Sequence, residues 1–534
     1  MTDILLIQPP VQDFYLTVKR TMPYGLACIA AALRAAGFTV DLFDALATHK
    51  TRPLSRPPEM AFLEPYYGRP DCSPFALFHQ FRHFGYSLER IGAAARDSGA
   101  FLIGISSLFT AYSDMALRTA ETVKAFHPRC RIAVGGHHPT ALPEAVMAHR
   151  AVDYVLRGEG EVSMPMLARV LQRGGDPAGI PGIVFRRTDG TLHISAPALM
   201  PDIDASPPPA MDLVKHSFYQ RKKAGSTVIV GSRGCPMSCR YCAVAGWPYR
   251  RRSVSGVMEE VTRAVDRYGV RFIDFEDENL SLEKKWFAEL LDRIAGRFGN
   301  LGIELRAMNG LYPSTLDMDL LVRMKKAGFR ALNLSLGSVD PEQLQRFQRP
   351  DSGTAFGKTV QQARLLGLTV TGYIIVGAPG QSPETSVDDL LYLDGLGVLA
   401  GVSAYYPAPG SRDFQHLGSS SRLPDDHRLM RGSALSAFGP ATREEIATLL
   451  RLGRILNFMR LLSEPQQRPG ETNQERTALG YRLLQDFFQD GSIRGITPDG
   501  EEYAHRISSK LTARFIAGIK RRREPFTGFR AGNP

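Results

Sequence analysis

Short apolar runs alternate with helical periodicity along the first third of the chain. Ile4–Gln8 reads as a strand and Met22–Ala36 as a small-residue helix closed by Gly37. Phe38–Phe43, Phe101–Ser106, Arg131–Val134 and Val152–Leu156 read as further strands. Strands spaced by helical patterns imply right-handed βαβ units and a doubly wound parallel sheet, an α/β fold. Ile183–Ile194 is expected to form a hairpin around Asp189-Gly190. The run Ala205-Ser206-Pro207-Pro208-Pro209 reads as an extended linker. A second βα series follows, with strands expected at Thr227–Val230, Arg271–Phe275, Ile303–Ala307, Ala331–Leu336, Leu368–Val376 and Val402–Tyr406. Six repeats imply a partial or full βα-barrel with its reactive centre at the strand C-termini. From about Ser411 the pattern turns helical, at Arg443–Leu462, Glu475–Gln489 and Glu501–Arg523. The expected divisions are residues 1–200, a linker over 201–224, a barrel over 225–415 and a helical C-terminal region over 416–534.

Two segments do not fit simple βα repetition. Residues Lys50 to Asp97 form an insertion rich in aromatics, including Tyr66, Tyr67, Phe75, Phe78, Phe81 and Phe84. A long connection of this kind is either a lid over the ligand face or a small satellite core. In Glu501–Arg523 the residues Ile507, Leu511, Phe515 and Ile519 recur every four positions, with Lys510, Arg514, Lys520 and Arg521 around them. That pattern suits a helix packed on the barrel, or a basic cap that closes the substrate opening.

Charge sets bounds on partners. The chain has 65 basic and 54 acidic residues, a surplus of +11. A surplus suits an anionic partner such as nucleic acid, anionic lipid or a phosphorylated or carboxylated small molecule. Here it is dispersed, with tight runs only at Arg250–Arg252 and Lys520–Arg523, so a diffusely basic enzyme is expected. No apolar run approaches the length of a membrane span, and the N-terminus lacks the basic start of a secretory signal. A cytoplasmic protein is expected.

The cysteines are uneven. Cys28, Cys72 and Cys130 are isolated, whereas Cys235, Cys239 and Cys242 follow directly on the strand Thr227–Val230. Three thiolates at C-x3-C-x2-C can serve one soft metal centre. A closed zinc site needs a fourth protein ligand, and no cysteine follows Cys242. An iron–sulfur cluster tolerates three cysteines, leaving one iron open.

This loop resembles the signature of radical S-adenosylmethionine (SAM) enzymes. The resemblance implies a [4Fe–4S] cluster on Cys235, Cys239 and Cys242, whose open iron binds the amino and carboxylate groups of SAM. It also implies an external one-electron reductant of flavodoxin or ferredoxin type. Tyr241 would lie against the adenine. Glu278, in the acidic motif after the second barrel strand, would support the amino group. Ser335 and Ser338 would approach the ribose, although Ser335 stands where a glutamate is common. Arg349 would face the carboxylate, and Gly377 and Pro379 would flank the adenine.

The N-terminal region resembles a cobalamin-binding, flavodoxin-like domain. Ser106-Ser107-Leu108 ends one strand, and 26 residues separate Leu108 from Gly135-Gly136. His137, Thr140, Gly158 and Glu159 fall in the matching loops. The place where many such domains carry a cobalt-ligating histidine reads Gln8-Pro9-Pro10-Val11-Gln12-Asp13-Phe14, so no histidine ligand is expected. Together the motifs resemble the cobalamin-dependent radical SAM enzymes. That family implies methylation of an unactivated carbon of a small-molecule substrate, through a 5′-deoxyadenosyl radical and methylcobalamin. The alternatives are a radical cyclase of the tetrapyrrole type, a nucleic-acid-modifying radical SAM protein and a cobalamin sensor. The nucleic-acid reading is disfavoured because Cys28, Cys72 and Cys130 are not placed to hold a second cluster.

Overall fold

The computed structural model describes residues 2–14, 22–349, 353–420, 422–463 and 474–522. The N-terminal sheet has seven strands: β1 (Ile4–Gln8), β2 (Val40–Asp44), β3 (Leu102–Ser106), β4 (Arg131–Gly135), β5 (Tyr154–Leu156), β6 (Ile183–Arg186) and β7 (Leu192–Ile194). Their order is β7-β6-β5-β4-β3-β1-β2. The first five are parallel, and the β6–β7 hairpin is added antiparallel at one edge. The near-continuous apolar runs of β1, β3 and β4 are buried on both faces, as a parallel sheet between helical layers requires. The strand expected from Val152 starts at Tyr154, because the Asp153 carboxylate is bonded to the Ile132 amide and to Lys124.

The expected insertion ends earlier than Asp97. Leu88–Ser98 is the crossover helix before β3, capped by Ser87, which accepts from the Arg90 amide. The remainder forms a small three-stranded antiparallel sheet, with Val11–Asp13, Arg82–Phe84 and Thr51–Pro53. It also forms a satellite core, in which Phe14, Met60, Leu63, Tyr67 and Phe81 pack with Leu435, Ala441 and Ile446 from the C-terminal region.

Six parallel strands form the second unit: β8 (Ala224–Ile229), β9 (Val270–Phe275), β10 (Glu304–Ala307), β11 (Ala331–Gly337), β12 (Thr369–Val376) and β13 (Leu399–Ala404). β8 to β10 form one ladder and β11 to β13 another, joined by single bridges such as Leu311 to Leu334. This is a partial barrel. The last strand ends at Ala404 rather than Tyr406, although the Tyr405 amide still donates to the Val376 carbonyl; the Tyr405 hydroxyl donates to Asp413. β13 is an edge strand, and the helix Arg443–Ser463 covers it: the Asn457 side chain takes up both the amide and the carbonyl of Ala400.

The tail departs from the expected helix. Arg494–Ile496 and Glu502–Ala504 pair as a short hairpin, turned at Asp499-Gly500, and the helix runs only from Ser509 to Arg522. Arg523 lies outside the described residues. Leu511, Phe515 and Ile519 are buried in the barrel's outer core. Lys510 pairs with Glu384 and Arg514 with Asp388, both on the outer helix Pro383–Leu396. The helix is therefore a flank of the barrel, and the expectation that it closes the substrate opening is overturned. No helix among the described residues is long and apolar enough to cross a membrane.

Candidate functional site

The cysteine loop springs from the end of β8. Its base is a two-residue hairpin, Ser232–Arg233 against Arg250–Arg251. The buried Asp277 accepts from the Ser232 hydroxyl at 2.6 Å and the Gly231 amide at 3.1 Å, which fixes the approach to Cys235. Burial pushes the Asp277 carboxyl up to about 6, against the lowering effect of those bonds. Cys235 and Cys239 are buried and Cys242 is half-buried, all as free thiols. Burial raises the Cys242 thiol to about 11, which favours its protonated form until a cation binds. Among the described residues no three His, Cys, Asp or Glu side chains close on a single ion. The thiolates of a cluster each bind a different iron and need not converge on one point, so the loop fits a cluster better than zinc.

Tyr241, Ser335 and Arg349 meet beside this loop. Arg349 Nη1 donates to the Tyr241 hydroxyl and Nη2 to the Ser335 carbonyl, both at 3.0 Å. Gly337, at φ +82°, leaves the space that the Arg349 side chain crosses: a Cβ there would lie 3.4 Å from its Cδ. Arg349 Nε is buried with no partner among the described residues, a donor left for a ligand. Tyr241 stands edge-on to Phe347 at 5.0 Å and packs in a cluster with Ala378 and Phe438. Gly377 and Pro379 flank Ala378, so the expected adenine motif adjoins Tyr241. Glu278 is half-buried; burial raises its pKa, and its charge in turn helps to raise the Cys235 and Cys242 thiols. Ser338 is different. Its side chain is buried and donates to Asp389, at 3.0 Å, so it belongs to the barrel wall and not to this group.

A cavity of about 610 Å³ opens between the two units. On one side are the strand ends of the first sheet: Gln8 to Val11, Ser106 to Tyr112, and His137. On the other are Cys242 to Val244 of the cysteine loop, Val402 to Ala404 at the end of β13, and Met430 to Ser433. Ser107 Oγ is buried without a partner. Gly136, at φ +123°, turns so tightly against this strand end that a Cβ would sit 2.5 Å from the Ser107 carbonyl. The glycine lets the β4 turn pack against Ser107, and the orphaned Ser107 hydroxyl beside it suits a polar ligand. Where a cobalt-ligating histidine would follow β1, Gln8, Pro9, Pro10 and Val11 line the wall. His137 lines the cavity, and burial lowers its pKa.

Comparison with known proteins accords with this geometry. The B12 binding domain matches residues 77–168, and the Radical SAM superfamily matches residues 229–393. The chain carries a B12 binding domain and a Radical SAM superfamily domain. It is 26% identical over 411 residues to the cytidylyl-2-hydroxyethylphosphonate methyltransferase of Streptomyces wedmorensis, covering 70% of this chain and 73% of that one. It is 25% identical over 370 residues to an uncharacterized methyltransferase of Pyrococcus horikoshii, covering 67% and 79%. Among solved structures it resembles the cobalamin-dependent S-adenosylmethionine radical enzyme OxsB, with aqua-cobalamin and S-adenosylmethionine bound. That match has a TM-score of 0.62 and 13% identity, over 91% of this chain and 71% of the other.

Two expected cobalamin contacts are redirected. Glu159 lies at the junction of the B12-binding and radical SAM domains. Its carboxylate pairs with Arg250 at 2.9 Å and Arg233 at 3.3 Å and accepts from the Met200 amide. Glu161 pairs with Arg233 at 2.6 Å. These carboxylates clamp the B12-binding domain to the base of the cysteine loop, and Glu159 does not line the cavity. The Thr140 hydroxyl donates to the Gly136 carbonyl and accepts from the Gly158 amide, so it positions that glycine turn from behind. Glu159→Gln should therefore cost about 2 kcal/mol of stability, since it weakens a partly buried pair, while leaving cobalamin affinity unchanged. Thermal unfolding and cobalamin titration check both; a tenfold loss of cobalamin affinity with no stability loss would return Glu159 to the ligand set.

Sequence reasoning missed Asp13 and Arg431. Asp13 is buried, accepts from the Tyr112 and Ser433 hydroxyls and pairs with Arg431 at 3.1 Å. The pair ties the C-terminal region to the B12-binding domain across the cavity. Nothing in local sequence signals it, because 417 residues lie between the two.

Proposed function

We propose that this chain transfers a methyl group from SAM to an unactivated carbon of a small molecule, using cobalamin, a [4Fe–4S] cluster and an external one-electron reductant of flavodoxin or ferredoxin type. The observation that carries the reading is the shared cavity, which the strand ends of the B12-binding domain and the Cys242–Val244 segment line together. When bound, the cluster and SAM supply a 5′-deoxyadenosyl radical and cobalamin supplies the methyl group. Cys235, Cys239 and Cys242 hold the cluster. Arg349, fixed by Tyr241 and Ser335, offers its Nε–H toward the SAM carboxylate, and Glu278 accepts from the amino group. Gly377, Pro379 and Tyr241 enclose the adenine. Ser106, Ser107, Leu108, Gly135, Gly136 and His137 receive cobalamin. The apolar cavity wall excludes water from the reacting carbon.

The relatives aligned over two thirds or more of this chain are methyltransferases by name, which favours methylation over cyclisation. The nucleic-acid alternative loses its main support, because Arg250, Arg251 and Arg252 pair with Glu159, Glu283 and Glu260 and form no free cationic strip. The reconstituted, reduced protein turning over its substrate should release S-adenosylhomocysteine and 5′-deoxyadenosine in equal amounts. Release of 5′-deoxyadenosine with no S-adenosylhomocysteine would establish the cyclase alternative instead.

A further inference from the structure

Resting on that function, we propose that the substrate this cavity accepts beside the two cofactors is uncharged and mainly apolar. The chain as a whole is cationic, yet its cavity is not. Among the described residues, Asp13 and Arg431 are the only Asp, Glu, Lys or Arg residues along the wall. They neutralise each other. The Arg431 guanidinium is also occupied by backbone: Nε donates to the Arg428 carbonyl, Nη1 to Gln12 and Nη2 to Ala111. Little of it is left to receive a phosphate or carboxylate. His137 is held toward its neutral form by burial. An anion entering here would lose water with no cation to replace it, which costs several kcal/mol.

The wall is positively suited to apolar contact. Beyond the residues given to cobalamin, Phe109 and Tyr406 are 48% and 38% exposed, among the most exposed large apolar side chains described, and both line this cavity. Soluble proteins seldom leave such a patch without a ligand. Val402, Met430 and Leu450 continue the wall from beyond residue 393, where the Radical SAM match ends. Val402 stands at the end of the last barrel strand and Met430 and Leu450 lie in the C-terminal region, all outside both family matches, so we assign this part of the wall to the substrate. Ser403 and Tyr406 add neutral hydroxyl groups that can orient it by hydrogen bonds.

A matched pair of fluorescent probes isolates the charge. N-phenyl-1-naphthylamine is neutral, and 8-anilino-1-naphthalenesulfonate carries the same rings with a sulfonate. On the cobalamin- and iron-loaded full chain, the neutral probe should bind at least about tenfold more tightly, a difference of about 1.4 kcal/mol. Ser403→Lys, which adds an unpaired cation to the wall, should narrow or invert that ratio; Ser403→Val should not. Equal or tighter binding of the sulfonate by the unaltered chain would overturn the proposal. So would a ratio that Ser403→Lys leaves unchanged, because the preference would then lie outside the cavity. Iron and cobalamin content measured on the same samples report on the proposed function separately.

Discussion

Simultaneous replacement of Cys235, Cys239 and Cys242 by alanine is expected to take reconstituted iron from about four atoms per chain to none. The brown chromophore and SAM cleavage should disappear with it. Cobalamin should still bind, because its expected contacts at Ser107 and Gly136 lie in the other domain and depend on no cysteine of the loop. The fold should survive as well, since the base of the loop is held by Asp277 and by the Arg233 and Arg250 ion pairs rather than by the thiols. Cys28→Ala is the control. Cys28 is buried on the helix Tyr24–Ala35, and burial pushes its thiol far above the usual range, so it behaves as a small core residue. Its loss should leave iron content unchanged. Full iron in the triple variant would remove the cluster assignment.

The second large effect concerns Asp13. Asp13→Ala strands the Arg431 guanidinium in a wall where both side chains are 6% exposed, and orphans the Tyr112 and Ser433 hydroxyls. Removing one partner of a buried ion pair costs about 3–5 kcal/mol. Calorimetry should show the transition of the C-terminal region falling first, because Arg431 is its anchor on the B12-binding domain. The double variant Asp13→Ala/Arg431→Met should recover most of the loss, since it buries no unpaired charge. A double variant no more stable than Asp13→Ala would show that Asp13 acts through its hydroxyl partners and not through Arg431.

Local periodicity carried the fold well because both units are built from consecutive βα repeats. β1 fell where its apolar run predicted, and β3 and β4 within a residue, because a parallel strand buried on both faces has little else to encode. Boundaries slipped by two residues at strand ends, as before β5 and after β13, where single bonds to the neighbouring strand persist past the regular ladder. The site was legible to the extent that its residues sit at strand ends. The cysteines and Tyr241 follow β8 and Ser335 lies in β11, whereas Arg349 follows the helix Pro341–Arg346, and the structure brings Tyr241, Ser335 and Arg349 together. Ser338 and Glu159 also sit at strand ends, but their side chains turn to Asp389 and to Arg233 and Arg250, and sequence does not report side-chain direction. The far wall of the cavity was not legible at all. Met430 to Ser433 form an irregular segment without periodicity, and only tertiary contact with Asp13 places it over the opening. The same holds for the tail helix, whose amphipathic pattern was read correctly but whose partner surface, the outside of the barrel, is set by Glu384 and Asp388.

If cobalamin and SAM meet in one cavity, as proposed, the methyl group passes between them there. The most direct measurement follows SAM labelled with carbon-13 in its methyl group, incubated with the reduced, cobalamin- and cluster-loaded chain without substrate. The account predicts one labelled methyl on cobalt per chain, with an equivalent of S-adenosylhomocysteine. Label recovered wholly in methionine, with cobalamin and iron fully loaded, would contradict it.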